Sequence, residues 1–279
     1  MPLFDRLASV LLTVESKTTI IDQVRISFIC EKTGVATKNN ATIKIYNLAD
    51  KTRDLINTKE AEITLKVGYR LDAGEQILFK GDIFYTRTDF IAPDLITEIE
   101  LKDGGNKLRD ARLNQSFEAG TGANEIMNAL IKETKLTVDE ISVDLKESFS
   151  NGFSVTGLVS DSLTKLLGKF GVDWSVNNGE ILVTDKNKAS SKEIVILNPA
   201  TGLIGLPAFL VDDKNVLPDA QNPNKKIKIT SLLIPSIQAK QKIKLESRVS
   251  EGVYVVDTVI HSGDTHGNEW LSDIEATSI

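Results

Sequence analysis

His261 and His266 stand in the stretch "IHSGDTHGNEW" (260–270), with Asp264 between them. Imidazole and carboxylate side chains at this spacing are the groups that bind zinc or move a proton. A zinc centre takes three or four protein ligands held in place by further hydrogen bonds. These are the only 2 histidines of the 279-residue chain, so a metal here would need Asp264 and a distant carboxylate as well. The single cysteine, Cys30, lies in the apolar run "VRISFIC". There a thiol behaves as a small hydrophobe, and nothing electropositive adjoins it to favour the thiolate. The competing reading of the histidine segment is a hairpin connection over 262–268, because Ser, Gly, Asp, Thr and Asn are the residues that turns demand. That reading is adopted: both histidines are expected at an exposed turn, with no metal, no cofactor and no catalytic residue. Asp212 and Asp213 are adjacent carboxylates, but they fall in a Pro/Asn-rich stretch and match no glycosidase-like pair. There is no phosphate-cradling glycine loop, no HExxH and no GxSxG. Trp174 and Trp270 each sit in a β-like run and read as core or interface anchors.

The elements that must position these residues are mostly strands. Before residue 104, six segments (7–14, 23–30, 40–47, 61–69, 76–89 and 95–103) have strand length and are rich in Val, Ile, Phe and Tyr. Ile43 and Ile45 alternate with Lys44, and Ile63, Leu65 and Val67 with Thr64 and Lys66, the period of a half-buried strand. One helical turn is expected at "KTRDLI", capped by Asp50 with Leu55 and Ile56 turned inward. "KDGGNKLRD" (102–110) reads as a turn. From there the pattern changes. Ile126, Met127, Leu130 and Ile131 form one helical stripe. Val159, Leu163, Leu166, Leu167 and Phe170 form another, with Ser160 as its expected cap and Gly171 at its left-handed end. A hairpin follows over 172–185 around Asn178-Gly179, the dipeptide that a type I′ turn prefers. After the polar stretch 185–193, strands return at 193–198, 225–233, 241–249, 252–262 and 269–278. The stretch 211–225, with Pro218 and Pro223, reads as a mobile loop. The expected fold class is mainly β with an α+β insert, divided into residues 1–103, 104–189 and 190–279.

Bulk properties exclude several functions. Net charge is −6 and the basic residues are scattered, so no stripe exists to neutralise phosphates, and specific nucleic-acid binding is not expected. No stretch has the length of a membrane-crossing helix, and the apolar start is broken by Asp5 and Arg6, so it reads as a strand rather than a signal peptide.

Several stretches in order ("ATIKIYNLADKTRDLI", "ITLKVGYRLDAGEQILFKGDI", "QSFEAGTGANEIMNALI", "LTKLLGKFGVDWSVNNGEILVT", "PATGLIGLP" and "VYVVDTVIHSGDTHGNEWLSDIEA") resemble phage baseplate hub proteins, the tail-tube-capping proteins of Mu-like contractile tails. The resemblance covers nearly the whole chain and rests on the order of motifs that are each weak alone. It implies two tail-tube-type β-barrel domains flanking the α+β insert, which should superpose and place the insert outside the channel. It also implies a structural virion protein that forms a homotrimer, a pseudo-sixfold ring joining the hexameric tail tube to the trimeric central spike. Its partners would be the tail tube protein, the central spike protein and other baseplate proteins. DNA would pass only as cargo through the lumen, past walls that a net negative charge keeps from binding it. The implied location is the virion, with assembly in the host cytoplasm. The chain is short for such a hub, so decorations of larger members are expected to be missing. The alternatives are a tail-associated cell-wall hydrolase or protease on a hub-like scaffold, and the equivalent hub of another contractile injection system.

Overall fold

The computed structural model describes residues 5–35, 39–58, 61–186, 188–210 and 226–279. The expected mobile loop and the Asp212–Asp213 pair lie outside the described residues.

The N-terminal β segment contains β1 (Arg6–Val14), β2 (Lys17–Ile21), β3 (Ile26–Thr33), β4 (Asn40–Tyr46), helix α1 (Asp50–Ile56), β5 (Glu62–Tyr69), β6 (Gly74–Ile91) and β7 (Asp94–Lys102). Alternation is the reason these runs are strands: β3 and β4 bury every second residue, and Ile26, Phe28, Cys30, Ala41, Ile43 and Ile45 face one core. Helix α1 begins at Asp50 after an uncapped Ala49, and Asp50 pairs with Arg53 instead of capping. Only Ile56 of α1 is buried, so the expectation for Leu55 is corrected: a helix this short can turn only one residue fully inward.

The insert contains α2 (Gly105–Asp110), β8 (Arg112–Phe117), α3 (Ala123–Thr134), β9 (Thr137–Ile141), β10 (Phe153–Leu158), α4 (Val159–Gly168), β11 (Val172–Asn177) and β12 (Glu180–Asp185). The α3 stripe is buried, as are Val159, Leu163, Leu166 and Leu167 of the α4 stripe, while Phe170 lies beyond the helix and is half-buried; α3 and α4 pack on the small sheets β10-β8 and β11-β12-β9. Asn178 (φ 55°) and Gly179 (φ 83°) form the expected hairpin turn. The stretch read as a turn at 102–110 is instead entered through Gly104 at φ 58°, a left-handed residue that starts α2. Helix α4 starts at Val159, ahead of the expected cap Ser160.

The C-terminal segment contains β13 (Val195–Leu197), β14 (Leu203–Leu210), β15 (Lys226–Leu232), β16 (Lys242–Glu246), β17 (Glu251–Asp264) and β18 (Trp270–Ser278). These strands do not stand apart from the N-terminal ones. A single 13-stranded sheet runs β14-β15-β18-β17-β3-β4-β7-β6-β5-β1-β2, with β13 and β16 attached through β17. The 14-residue β17 is the seam. Its first half pairs with β16, a register shift intervenes between Val256 and Thr258, and its second half pairs with β3 from Thr258↔Thr33 to Asp264↔Ser27. The sheet then curls until Arg6, at the start of β1, donates to the carbonyls of Gly267 (2.8 Å) and Asn268 (3.2 Å) beyond β17.

Three apolar cores remain distinct despite the shared sheet. The first lies among the N-terminal strands and takes in Leu233 and Trp270. The second belongs to the insert alone. The third lies among β13–β18.

Candidate functional site

The histidine segment is a staple between strands. Strand β17 extends to Asp264, so the connection covers 265–269 rather than 262–268. Arg25 grips the Asp264 carboxylate with a two-pronged contact, Nε to Oδ1 at 3.1 Å and Nη2 to Oδ2 at 2.7 Å. The backbone N–H of His266 donates to the same carboxylate at 2.9 Å. Burial alone would raise the Asp264 carboxyl, but Arg25 and the backbone N–H groups of His266 and Gly267 outweigh it and hold it below the usual carboxylate range. Thr265 closes the staple: its N–H donates to Ile26 O and its hydroxyl accepts from Ile26 N, both at 3.0 Å. His266 is exposed, as the turn reading expects.

His261 is not exposed, and that expectation is corrected. It is 0% accessible, because β17 continues past it with β3 on one side and β18 on the other. Ser272 Oγ accepts from Ile234 N–H at 3.1 Å, which turns its hydroxyl proton toward His261 Nδ1 at 2.8 Å. Nε2 then donates to Ile237 O at 3.2 Å. Burial, with the nearby Lys32 charge, pushes His261 down to about 3, so its ring is neutral near pH 7. An imidazole with both nitrogens occupied and no access to solvent neither shuttles protons nor takes a ligand. Gly263 is likewise no turn glycine. A Cβ there would lie 2.4 Å from the Phe28 ring and 2.8 Å from Trp270, whose rings meet edge to face at 5.5 Å. Trp270 is therefore a core anchor. So is Trp174, whose Nε1 donates to Thr164 at 3.0 Å inside the insert.

Among the described residues, no group of three or more His, Cys, Asp and Glu is arranged to hold a metal ion. Cys30 is fully buried, and burial raises its thiol to about 12. No helix is long and apolar enough to cross a membrane among the described residues.

A feature with no sequence signal is a buried polar junction where all three segments meet. Asp103, at the end of β7, accepts the backbone N–H groups of Asn178 (2.6 Å) and Gly179 (2.8 Å) from the insert's hairpin turn. Asn39 donates to Val176 O and Asn177 Oδ1 at 2.7 and 2.9 Å, and Asn178 Oδ1 accepts from Lys80 N at 3.1 Å. Burial raises Asp103 to about 6, against the pull of those N–H groups, Lys32 and Asn39. Lys32 is fully buried, and burial pushes its ammonium down. From the C-terminal segment, Lys240 reaches Asp173 Oδ2 (3.2 Å) and Lys186 O (2.9 Å), and Lys192 pairs with Asp139 at 2.8 Å.

The outer face of the curled sheet is continuous across the seam. Rows such as Ile260–Glu31–Asn40–Lys102 and Ser262–Ile29–Thr42–Glu100 cross the seam without a break. The face is polar and mixed in charge, with a Lys44–Glu98 pair at 3.1 Å. A shallow depression of about 630 Å³ lies on it, lined by Ser27, Ile29, Thr42, Lys44 and Glu98. Elsewhere an apolar cleft of about 440 Å³ separates Tyr69 and Gly74 from Ile194, Ile196 and Pro235. The β6–β7 hairpin exposes Phe84, Phe90 and Ile91.

The family model described as baseplate hub gp41 matches residues 7–262. This chain belongs to the baseplate hub gp41 family. It is a phage tail baseplate hub protein of the structural kind. No curated protein sequence matches it. Among solved structures, the hub chain is similar to the tail protein from Neisseria meningitidis MC58, with a TM-score of 0.68 and 10% identity over 99% of this chain and 97% of that one. The 43 kDa tail protein of prophage MuSo2 from Shewanella oneidensis follows at a TM-score of 0.66 and 11% identity, covering 96% of each chain. The E. coli c3393 protein matches at a TM-score of 0.62 and 11% identity, over 96% of this chain and 76% of that one. It is described as a component of the type VI secretion system with structural similarity to the T4 tail proteins gp27 and gp5. At such identities the likeness is one of fold.

Proposed function

We propose that three copies of this hub close into a pseudo-sixfold ring that joins a hexameric tail tube to a trimeric spike, each copy contributing two tube-like β bodies. The observation that carries this reading is the unbroken sheet. Because β17 pairs with β3, both β segments of one chain present a single polar face, which is what a wall shared by two neighbouring positions of a ring requires. Two such segments per chain match a sixfold tube only when three chains assemble, and closed cyclic symmetry is the common way to satisfy exposed strand edges. The E. coli fold relative, likened to gp27 and gp5, supports the same placement.

In this reading the outer face lines the channel. Its acidic members Glu31 and Glu100 repel passing phosphates, while Lys44 is paired with Glu98. The protein acts without catalysis: its histidines, its cysteine and the Asp264 carboxylate are committed to packing and stapling. Cryo-EM of an assembled tail tip tests the reading. Three copies at the hub level with β3, β4 and β17 toward the lumen is the expected result, and six copies, or an outward-turned face, refutes it.

A further inference from the structure

We propose that the insert is a separately packed module that undocks from the β segments as one unit, with Asp103 as its principal latch. Its apolar core contains only residues of the insert, from Leu108 to Val183, and merges with neither β core. Docking is therefore left to polar contacts. On the N-terminal side these are the two N–H bonds of Asn178 and Gly179 to Asp103, the Asn39 carboxamide on Val176 and Asn177, the Lys80 N–H on Asn178, and the Asn106 N–H on Asp82 at 2.9 Å. On the C-terminal side they are Lys240 on Asp173 and Lys186, Lys192 on Asp139, and the Ser191 N–H on Glu140 at 3.0 Å. The chain enters the insert through Gly104, whose left-handed backbone makes a sharp exit from β7.

The dock is held at a cost that an apolar contact would not carry. Lys32 lies buried beside it with no hydrogen-bond partner for its Nζ among the described residues, and Asn177 Nδ2 and Ser190 Oγ are in the same condition. Incompletely satisfied polar interfaces are weak relative to apolar ones and open first, whereas an apolar core opens last. Asp103 is the latch because it alone satisfies two backbone donors at once. Removing it orphans both inside the junction. This inference rests on the junction geometry and is independent of the ring.

Hydrogen exchange on the full chain, wild type against Asp103→Ala, tests it. Loss of two charge-assisted acceptors should speed exchange at the Asn178 and Gly179 amides by about tenfold or more. If the insert leaves as a unit, Lys80 and Ser191 accelerate with them, although Ser191 does not touch Asp103, while amides of α3 and α4 in the insert core keep their wild-type protection. Acceleration confined to Asn178 and Gly179 means local fraying and overturns the proposal. Equal acceleration in the α3 and α4 core means unfolding and also overturns it. If Asp103→Ala fails to fold, wild-type exchange in low urea decides. The Asn178, Gly179, Lys80 and Ser191 amides should then share one opening below that of the insert core, and separate openings refute the module.

Discussion

Replacing His261 with Gln should reduce the stability that mild acid removes. In the native protein the His261 ring sits at about 3 instead of 6.5, so the unfolded chain takes up its proton first as pH falls. Native stability from this group is complete above pH 6.5 and is lost as pH drops toward 3. Between pH 6.5 and 5 that is 1.5 units, about 2 kcal/mol. Asp103 works in the opposite sense. Burial raises it from 3.8 to about 6, so the folded protein binds the proton first and gains stability as pH falls from about 6 toward 3.8. Asp264 and Glu246 are held low and do not titrate in this window. Lys32 contributes equally with or without the histidine. His261→Gln should therefore lose about 2 kcal/mol less than wild type between pH 7 and 5, from a lower starting point at pH 7 because two buried hydrogen bonds are disturbed. Urea unfolding followed by tryptophan fluorescence reads this directly. Trp270 reports the N-terminal core and Trp174 the insert, so coincident transitions also check that unfolding is two-state. If the pH profiles of wild type and His261→Gln run parallel, His261 titrates as an exposed residue and the buried assignment is wrong.

Gly263→Ala should destabilise by about 2 kcal/mol or more, because its methyl group meets the Phe28 and Trp270 rings rather than open solvent; thermal melting checks it, and a neutral result would refute the packing role. His266→Gln should change stability by less than about 0.5 kcal/mol, and a stoichiometric zinc ion lost in that variant would show a metal site that the turn does not predict. Arg25→Met should cost about 1 kcal/mol, discounted for the exposure of the arginine, and should raise the Asp264 carboxyl in a carbon-detected NMR titration. Glu31→Lys with Glu100→Lys, if the outer face lines the channel, should slow DNA release from otherwise normal particles in a time-resolved ejection assay, and unchanged kinetics would count against that placement.

Much of the architecture was legible in the residues. Period-two alternation in β3, β4 and β5 and the helical stripes of α3 and α4 are local patterns that a core must satisfy, and the Asn178-Gly179 turn has a backbone that few other dipeptides tolerate. The short or mostly exposed strands β2, β8, β9 and β10 escaped, since little apolar alternation marks a strand that turns few side chains inward. The order of motifs carried the family, which the hub model then matched over residues 7–262.

What the chain could not declare locally is which of its polar residues face the interior. His261 and His266 sit five positions apart in the same turn-rich stretch, yet one is fully buried and the other exposed. The difference arises because β17 pairs with β3, whose residues lie more than two hundred positions earlier, and that pairing carries the strand past His261 before the chain is free to turn. Nothing in the residues adjoining Lys32 and Asp103 marks them as interior, yet both are buried. Local pattern determines strands, helices and turns because backbone geometry and side-chain periodicity act over a few residues. Burial of a charge, the fusion of two β segments into one sheet and the polar docking of the insert depend on contacts between distant parts of the chain, and these exist only once it has folded.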